Sequence, residues 1–136
     1  LVKSKFSISL HIMTLLAYYP NEWHASSQIA DSLNINPVLV RKEIKTLKES
    51  GLIESKEGKN GGVKLLKPSK NITIADIFES VKGSSHVLNL SSNLPDVTCK
   101  IGGQINEKLL SMFNDIDNAI LNTLKNQTLE EFKNQF

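Results

Sequence analysis

The dipeptide Asn36-Pro37 restricts this chain more than any other pair of neighbours in it. Proline has no backbone N–H and a φ already near the helical value, so it opens a helix without loss and breaks one elsewhere. The asparagine ahead of it offers a side-chain oxygen to the unpaired amides of the first turn. A helix therefore starts at Pro37, and Gly51 sits where such a helix stops in the left-handed conformation. Between them Val40, Ile44 and Leu47 make one narrow apolar stripe. Upstream, Gln28 to Leu33 fit a short helix capped by Ser26 or Ser27, and Asn34, Ile35 and Asn36 make a tight turn. A short helix, a turn of about three residues and a second helix have the spacing of a helix-turn-helix.

The flanking segments extend this core. Phe6, Leu10, Met13 and Ala17 recur at helical spacing in a first helix that Pro20 ends. After Gly51, Leu52 to Lys56 and Val63 to Leu66 are two strands around a loop holding Gly58, Gly61 and Gly62. Thr73 with Asp76 is a capping box opening a helix whose Ile74, Ile77, Phe78 and Val81 share one face, and Gly83 closes it. Residues 84–99 lose periodicity. From Gln104 to Asn126 a long helix returns, and Thr128 with Glu131 caps a short terminal one. The expected fold is mainly α with a small β-hairpin wing: a winged helix-turn-helix over residues 1–83, a connector and possible sensor segment over 84–103, and a dimerisation helix plus short C-terminal helix over 104–136.

A chain of 136 residues with 40% apolar and 22% charged residues is long enough for one ordinary core without a staple. Its most apolar run, Ile8 to Tyr19, is too short and too polar to span a bilayer. No export signal opens the sequence, so a cytoplasmic location without membrane contact is expected. A single cysteine, Cys99, excludes an internal disulfide and suits a reducing compartment. The net charge of +2 conceals an asymmetry: residues 1–70 carry 11 Lys/Arg against 6 Asp/Glu, net +5, and residues 71–136 carry 5 against 8, net −3. One half is thereby suited to a polyanion.

The third helix carries most of the chemistry. With its stripe turned inward, Val38, Lys42, Lys45 and Glu49 lie opposite and Arg41 and Lys48 flank it. Cations neutralise phosphates or read guanine edges, and a small apolar residue meets a thymine methyl, so such a helix suits the major groove of DNA. The plainer reading is a solvated face. Lys56, Lys59, Asn60, Lys64 and Lys67 surround the hairpin, whose slim glycine loop lets cations approach a narrow groove. Its plainer reading is an edge decorated with lysine against strand pairing. No Gly-Lys-Ser/Thr ending makes the loop a phosphate cradle. His11, His24 and His86 show no ligand spacing with one another or with Cys99, so no metal site is expected. No carboxylate pair, nucleophile elbow or dinucleotide fingerprint marks an enzyme.

The run Ser55-Lys56-Glu57-Gly58-Lys59-Asn60-Gly61-Gly62-Val63-Lys64-Leu65, followed by Ile72-Thr73-Ile74-Ala75-Asp76-Ile77, resembles the wing and next helix of the Rrf-two (BadM/IscR/NsrR/CymR-type) bacterial transcription regulators. Ala30-Asp31-Ser32 and Asn36-Pro37-Val38-Leu39-Val40-Arg41 are similar to the YwnA-like, single-cysteine branch. The likeness covers residues 4–83 well and runs more loosely beyond. Two positions depart from the pattern: Glu57 stands where arginine is frequent, and Val63 where tyrosine follows the paired glycines.

The resemblance implies a homodimer in which two long helices cross and present two winged helices to a palindromic double-stranded DNA operator. Ile105, Leu109, Met112, Phe113, Ile116, Ile120 and Leu124 are the expected interface, and this helix is indeed apolar on more than one edge. Some members hold an iron–sulfur cluster through three cysteines beyond residue 90. With Cys99 alone, no three-thiolate cluster forms within one subunit, and no cofactor is expected.

The expected function is a DNA-binding transcription regulator, a repressor. Pro37, Val38, Arg41, Lys42 and Lys45 would meet the major groove. Lys56, Lys59, Asn60, Gly61 and Gly62 would reach the minor groove, and Lys5, Ser26, Ser27 and Gln28 would fix phosphates. Cys99 is the candidate redox or electrophile sensor, beside Lys100 and before a glycine pair that would let the long helix reposition; an inert thiol is the other reading. A protein or small-molecule effector, or a winged helix that regulates a partner enzyme, stays open.

Overall fold

The computed structural model describes residues 3–136. Its elements run α1 (Lys3–Tyr18), α2 (Ser26–Leu33), α3 (Pro37–Glu49), β1 (Ile53–Lys56), β2 (Gly62–Leu65), a single 3-10 turn (Ser69–Asn71), α4 (Ile74–Lys82), α5 (Ile105–Leu124) and α6 (Leu129–Lys133). The boundaries follow local chemistry. Asn36 Oδ1 accepts from the Val38 N–H at 2.9 Å with Pro37 behind it, and Asn34 takes the left-handed conformation after α2. Thr73 and Asp76 exchange hydrogen bonds of 2.9 and 3.0 Å at the start of α4, and Thr128 and Glu131 do the same for α6. The α2 start differs from expectation. Ala25 is its N-cap, and Gln28 Oε1 accepts from the Ala25 N–H, leaving the Ser26 and Ser27 hydroxyls out of the cap.

Every α-helix and strand of residues 3–82 contributes to one core. Ile12, Met13 and Leu16 of α1 meet Ile29, Val40, Leu47, Ile53, Val63, Ile72 and Ile77, all fully or nearly fully buried. On α3 the stripe is wider than the aliphatic pattern: Glu43 is buried with Val40 and Leu47, its Oε2 3.5 Å from the buried Ser9 Oγ of α1, and Ile44 is only half-buried. The strands pair antiparallel in register Ile53↔Leu65, Glu54↔Lys64, Ser55↔Val63 and Lys56↔Gly62. That register turns Ile53 and Val63 inward and Glu54, Lys56 and Lys64 outward.

The C-terminal helix does not stay with α5. The Leu129 N–H donates to the Ile72 carbonyl at 2.7 Å and the Ile74 N–H to that of Gln127 at 2.9 Å, so the α6 cap lies antiparallel against the α4 cap. Leu129 is fully buried in the first core. Helical periodicity locates an apolar face but not its partner, so the grouping of residues 104–136 overlooks this return.

On α5 the inward face is Phe113 and Asp117. Phe113, assigned from sequence to a dimer interface, is buried in its own subunit with its ring 6.1 Å from that of His86. Leu124 also packs partly on the core, because α5 must return the chain to α6. Met112, 56% exposed, and Leu110 face outward, and Ile105, Leu109, Ile116 and Ile120 are half-buried.

Asp117 pins the connector to this helix. Its carboxylate accepts from His86 Nδ1–H at 2.7 Å and from the Val87 N–H at 3.1 Å, with Lys82 Nζ 3.9 Å away. Burial alone pushes the carboxyl pKa up, but the His86 and Val87 hydrogen bonds and the charge of Lys82 more than offset it and hold it below the ordinary value. Asp117→Ala should cost about 2 kcal/mol in urea unfolding at neutral pH, since it orphans two donors. A lowered folded-state pKa means this contribution is complete above the unfolded value of about 4 and fades as pH falls through the folded one. The wild-type and variant curves should therefore converge in acid.

Candidate nucleic-acid interface

Two elements bring cations to the surface side by side. On α3, Arg41, Lys42, Lys45 and Lys48 are exposed, together with Val38, which is 58% exposed, and Leu39. Pro37, at the first turn, is half-exposed. Because Glu43 turns inward, Glu49 is the one carboxylate left on the exposed part of α3. At the hairpin tip Lys56, Glu57, Lys59 and Asn60 are exposed, and the Gly61 N–H donates to the Gly58 carbonyl at 3.1 Å to close the turn. Lys48 Nζ donates to Ser55 Oγ at 2.6 Å and so ties the end of α3 to β1.

The hairpin is also anchored from its other side. His24 and Val63 exchange both backbone hydrogen bonds, each 2.9 Å, which joins the α1–α2 loop to the outer side of β2 by a one-residue antiparallel bridge. Gly62 stands beside that bridge at φ +142°, where an added Cβ would lie 2.4 Å from the His24 carbonyl oxygen. The glycine run that reads as a slim tip is therefore partly a docking requirement of the wing root. Trp23, absent from the sequence-derived site, lies against this root with Lys64 Nζ 4.5 Å and Lys56 Nζ 5.7 Å from its ring centroid. Only its neighbour's pairing with Val63 puts it there, which no local pattern displays.

Of the remaining predicted residues, Ser27 and Gln28 are exposed at the start of α2, Ser26 is half-exposed, and Lys5 is half-exposed on α1. Cys99 is exposed in a turn preceding α5. The Gly102 and Ile101 N–H groups hydrogen-bond the thiol and hold its pKa below the ordinary value, so backbone amides rather than Lys100 do this. The glycine pair is not a loose hinge either. A Cβ on Gly102 would sit 2.2 Å from the Asp96 carbonyl oxygen, and the Gly103 N–H donates to the Cys99 carbonyl at 2.8 Å, so the turn is closed and packed. A cavity of about 490 Å³ opens elsewhere, between α1 and α6, lined by Leu10, His11, Tyr18, Tyr19 and Phe132 among others.

Helix, turn, helix and an anchored basic hairpin define a winged helix-turn-helix protein of the DNA-binding kind. The sequence profile of the Rrf2 family, described as an iron-dependent transcriptional regulator, matches residues 2–135, and the chain belongs to that family. It is 28% identical over 134 residues to the protein named as HTH-type transcriptional regulator YwnA of Bacillus subtilis (strain 168), covering 98% of each. It is 28% identical over 132 residues to the one named YffB of Lactococcus lactis subsp. lactis (strain IL1403), covering 96% of this chain and 85% of the relative. Its fold superposes on CymR, the global cysteine regulator of B. subtilis, with a TM-score of 0.70 at 21% identity, covering 97% and 95% of the two chains. The protein is thus a transcriptional regulator of the DNA-binding helix-turn-helix type. Cys99 is the sole thiol of the sequence, and the described residues of one chain bring no three His, Cys, Asp or Glu side chains together. Among the described residues no helix is long and apolar enough to cross a membrane.

Gly62→Val should damage fold and binding together, since a β-branched residue is strained at this φ and collides with the His24 backbone. We expect a lowered melting temperature alongside weaker DNA binding, and a variant with full binding and full stability would contradict the docking role.

Proposed function

We propose that this chain is a cytoplasmic homodimeric repressor that reads a palindromic operator with α3 and the wing. The observation that carries this reading is the exposed face of α3, where Val38, Arg41, Lys42 and Lys45 stand together with Glu43 withdrawn into the core. Lys42, Lys45, Arg41 and Val38 enter the major groove from the first turns of α3, where Pro37 abuts it. Lys59 and Asn60, at the tip beyond Lys56, Gly61 and Gly62, reach the adjacent minor groove. Ser26, Ser27, Gln28 and Lys5 fix phosphates. It works without an iron–sulfur cluster held by one subunit, and it catalyses no reaction. Titration of fluorescent duplexes selected from a random pool tests this. Lys42→Ala and Lys45→Ala should each weaken binding, by about 1–3 kcal/mol for a base contact or with a salt slope flatter by about one for a phosphate contact. Unchanged affinity and slope in both would remove α3 from the interface.

The second copy covers the outer face of α5, centred on Met112 and Ile116 with Ile105, Leu109 and Ile120 around it. Met112 is a large apolar side chain left more than half exposed on a helix of 20 residues, about 30 Å long. Met112→Glu places a charge in that contact and should shift the protein from dimer to monomer in sedimentation, without unfolding it, because the position is exposed in the single subunit. A wild-type monomer at micromolar concentration would contradict the dimer.

Cys99 is the sensor in this reading. Its exposure and the two amides aimed at it favour the thiolate, the reactive form. It is the only thiol, so reversible oxidation leads to a sulfenic acid or an intermolecular disulfide. Oxidant should release wild-type protein from DNA, reductant should restore it, and Cys99→Ser should be indifferent to both. Equal release of both proteins would move the sensor elsewhere. Exposed Leu94, Val97 and Ile101 around the same turn favour a protein effector as the second reading. Its contact would be largely insensitive to salt, whereas DNA affinity falls steeply with it.

A further inference from the structure

On the outward face of the wing root, Trp23, which the readings above leave without a role, is set against two of the hairpin lysines, Lys56 and Lys64. His24 pairs antiparallel with Val63, which sets Trp23 beside Lys64 on the outer face, the face that also bears Lys56 and Glu54. Lys64 Nζ lies 4.5 Å and Lys56 Nζ 5.7 Å from the Trp23 ring centroid. Glu54 is the cross-strand partner of Lys64, yet among the described residues the ion pairs are those of Asp117 with Lys82 and His86. Both ammonium groups therefore lie near one aromatic ring, and among the described residues no carboxylate is within 4 Å of either. Gly62, opposite Lys56, puts no side chain between them.

Two like charges on one ring repel each other, and the arrangement gains most when a polyanion lies across both. Attraction to the ring also removes rotamer freedom from two long side chains before they meet that anion, which lowers the cost of ordering them on binding. The backbone that carries the ring is held in place, since the residue after it makes two backbone bonds to a strand whose Val63 is buried in the core.

We propose that Trp23 is a positioning residue for DNA binding: it holds Lys64 and Lys56 as a paired phosphate clamp on the flank of the wing. The clamp grips the duplex backbone beside the groove that the tip enters. This rests on the DNA-binding reading above and adds a residue and a contact type to it. A phosphate clamp carries no sequence information, so it acts on any duplex.

The test uses a fluorescein-labelled random-sequence duplex at several salt concentrations, with Trp23→Leu, Trp23→Phe, Lys64→Gln and the Lys56→Gln/Lys64→Gln pair. Trp23 is the chain's one tryptophan, so its emission reports this site alone. Adding duplex to wild-type protein should change that emission. Trp23→Leu should weaken binding roughly two- to five-fold, and Trp23→Phe, with a weaker ring, should fall between it and wild type. Lys64→Gln should flatten the salt slope by about one. Because Trp23 acts through the lysines, Trp23→Leu should have no further effect in the Lys56→Gln/Lys64→Gln background. A wild-type protein that binds duplex with unchanged tryptophan emission, and with Trp23→Leu and Lys64→Gln matching it in affinity and salt slope, would overturn the clamp and leave the DNA reading standing. A wild-type protein that binds no duplex overturns both. Lys64→Gln alters a partly exposed surface side chain, so its result stands even if Trp23→Leu fails to fold.

Discussion

Two hydrogen bonds between His24 and Val63 tie the hairpin of this molecule to the loop between α1 and α2. A two-stranded hairpin is marginal by itself in water, and here β2 gains a second partner from the loop that joins α1 to α2. The bridge fixes Val63 in the core beside Ile53, so the outer face of the hairpin has no freedom to turn. Lys48 with Ser55 then fastens the same hairpin to the end of α3. The helix α3 and the hairpin are thus held in one frame, and their spacing is a property of the core rather than of a flexible loop. The glycine at position 62 belongs to the same requirement, because the approach of its backbone to His24 leaves no room for a Cβ.

A second frame runs through Asp117. Its carboxylate joins the start of the connector, through His86 and Val87, to the middle of α5, and Phe113 packs one turn earlier. Meanwhile α6 folds back so that Leu129 enters the core beneath α4. The long helix is held at its middle and just past its end by the winged domain. A change in the closed turn around Cys99, which immediately precedes α5, acts on a helix already coupled to the DNA-binding half. In the dimer proposed above, rotation of that helix would alter the separation of the two copies, and with it the fit to paired half-sites.

What was legible in the sequence was the short-range chemistry. Asn36-Pro37, the threonine capping boxes at 73 and 128 and the glycine-punctuated hairpin lie where the spacing puts them, because each is decided within a few residues. The Rrf2 resemblance rested on the same hairpin and the helix after it. What was missed depends on distant partners. Glu43 lies outside the aliphatic stripe read from the sequence and is buried beside Ser9 of α1, and Phe113 reads as interface until His86 covers it. Trp23 stands in a polar loop with no periodicity, and only the bridge at its neighbour carries it to the lysines. Gly102 reads as a hinge and proves to be a close contact, since a glycine pair has the same local appearance in both cases.

The central claim is that α3 and the anchored wing meet DNA together, once per subunit of a two-fold dimer. Hydroxyl-radical footprinting on a duplex selected from a random-sequence pool tests it most directly. The account predicts two equivalent protected patches related by the symmetry of the site, with centres about one helical turn or a multiple of it apart, each flanked by backbone protection from a wing. A single patch without symmetry, or protection that is unchanged when the wing lysines are replaced, would contradict it.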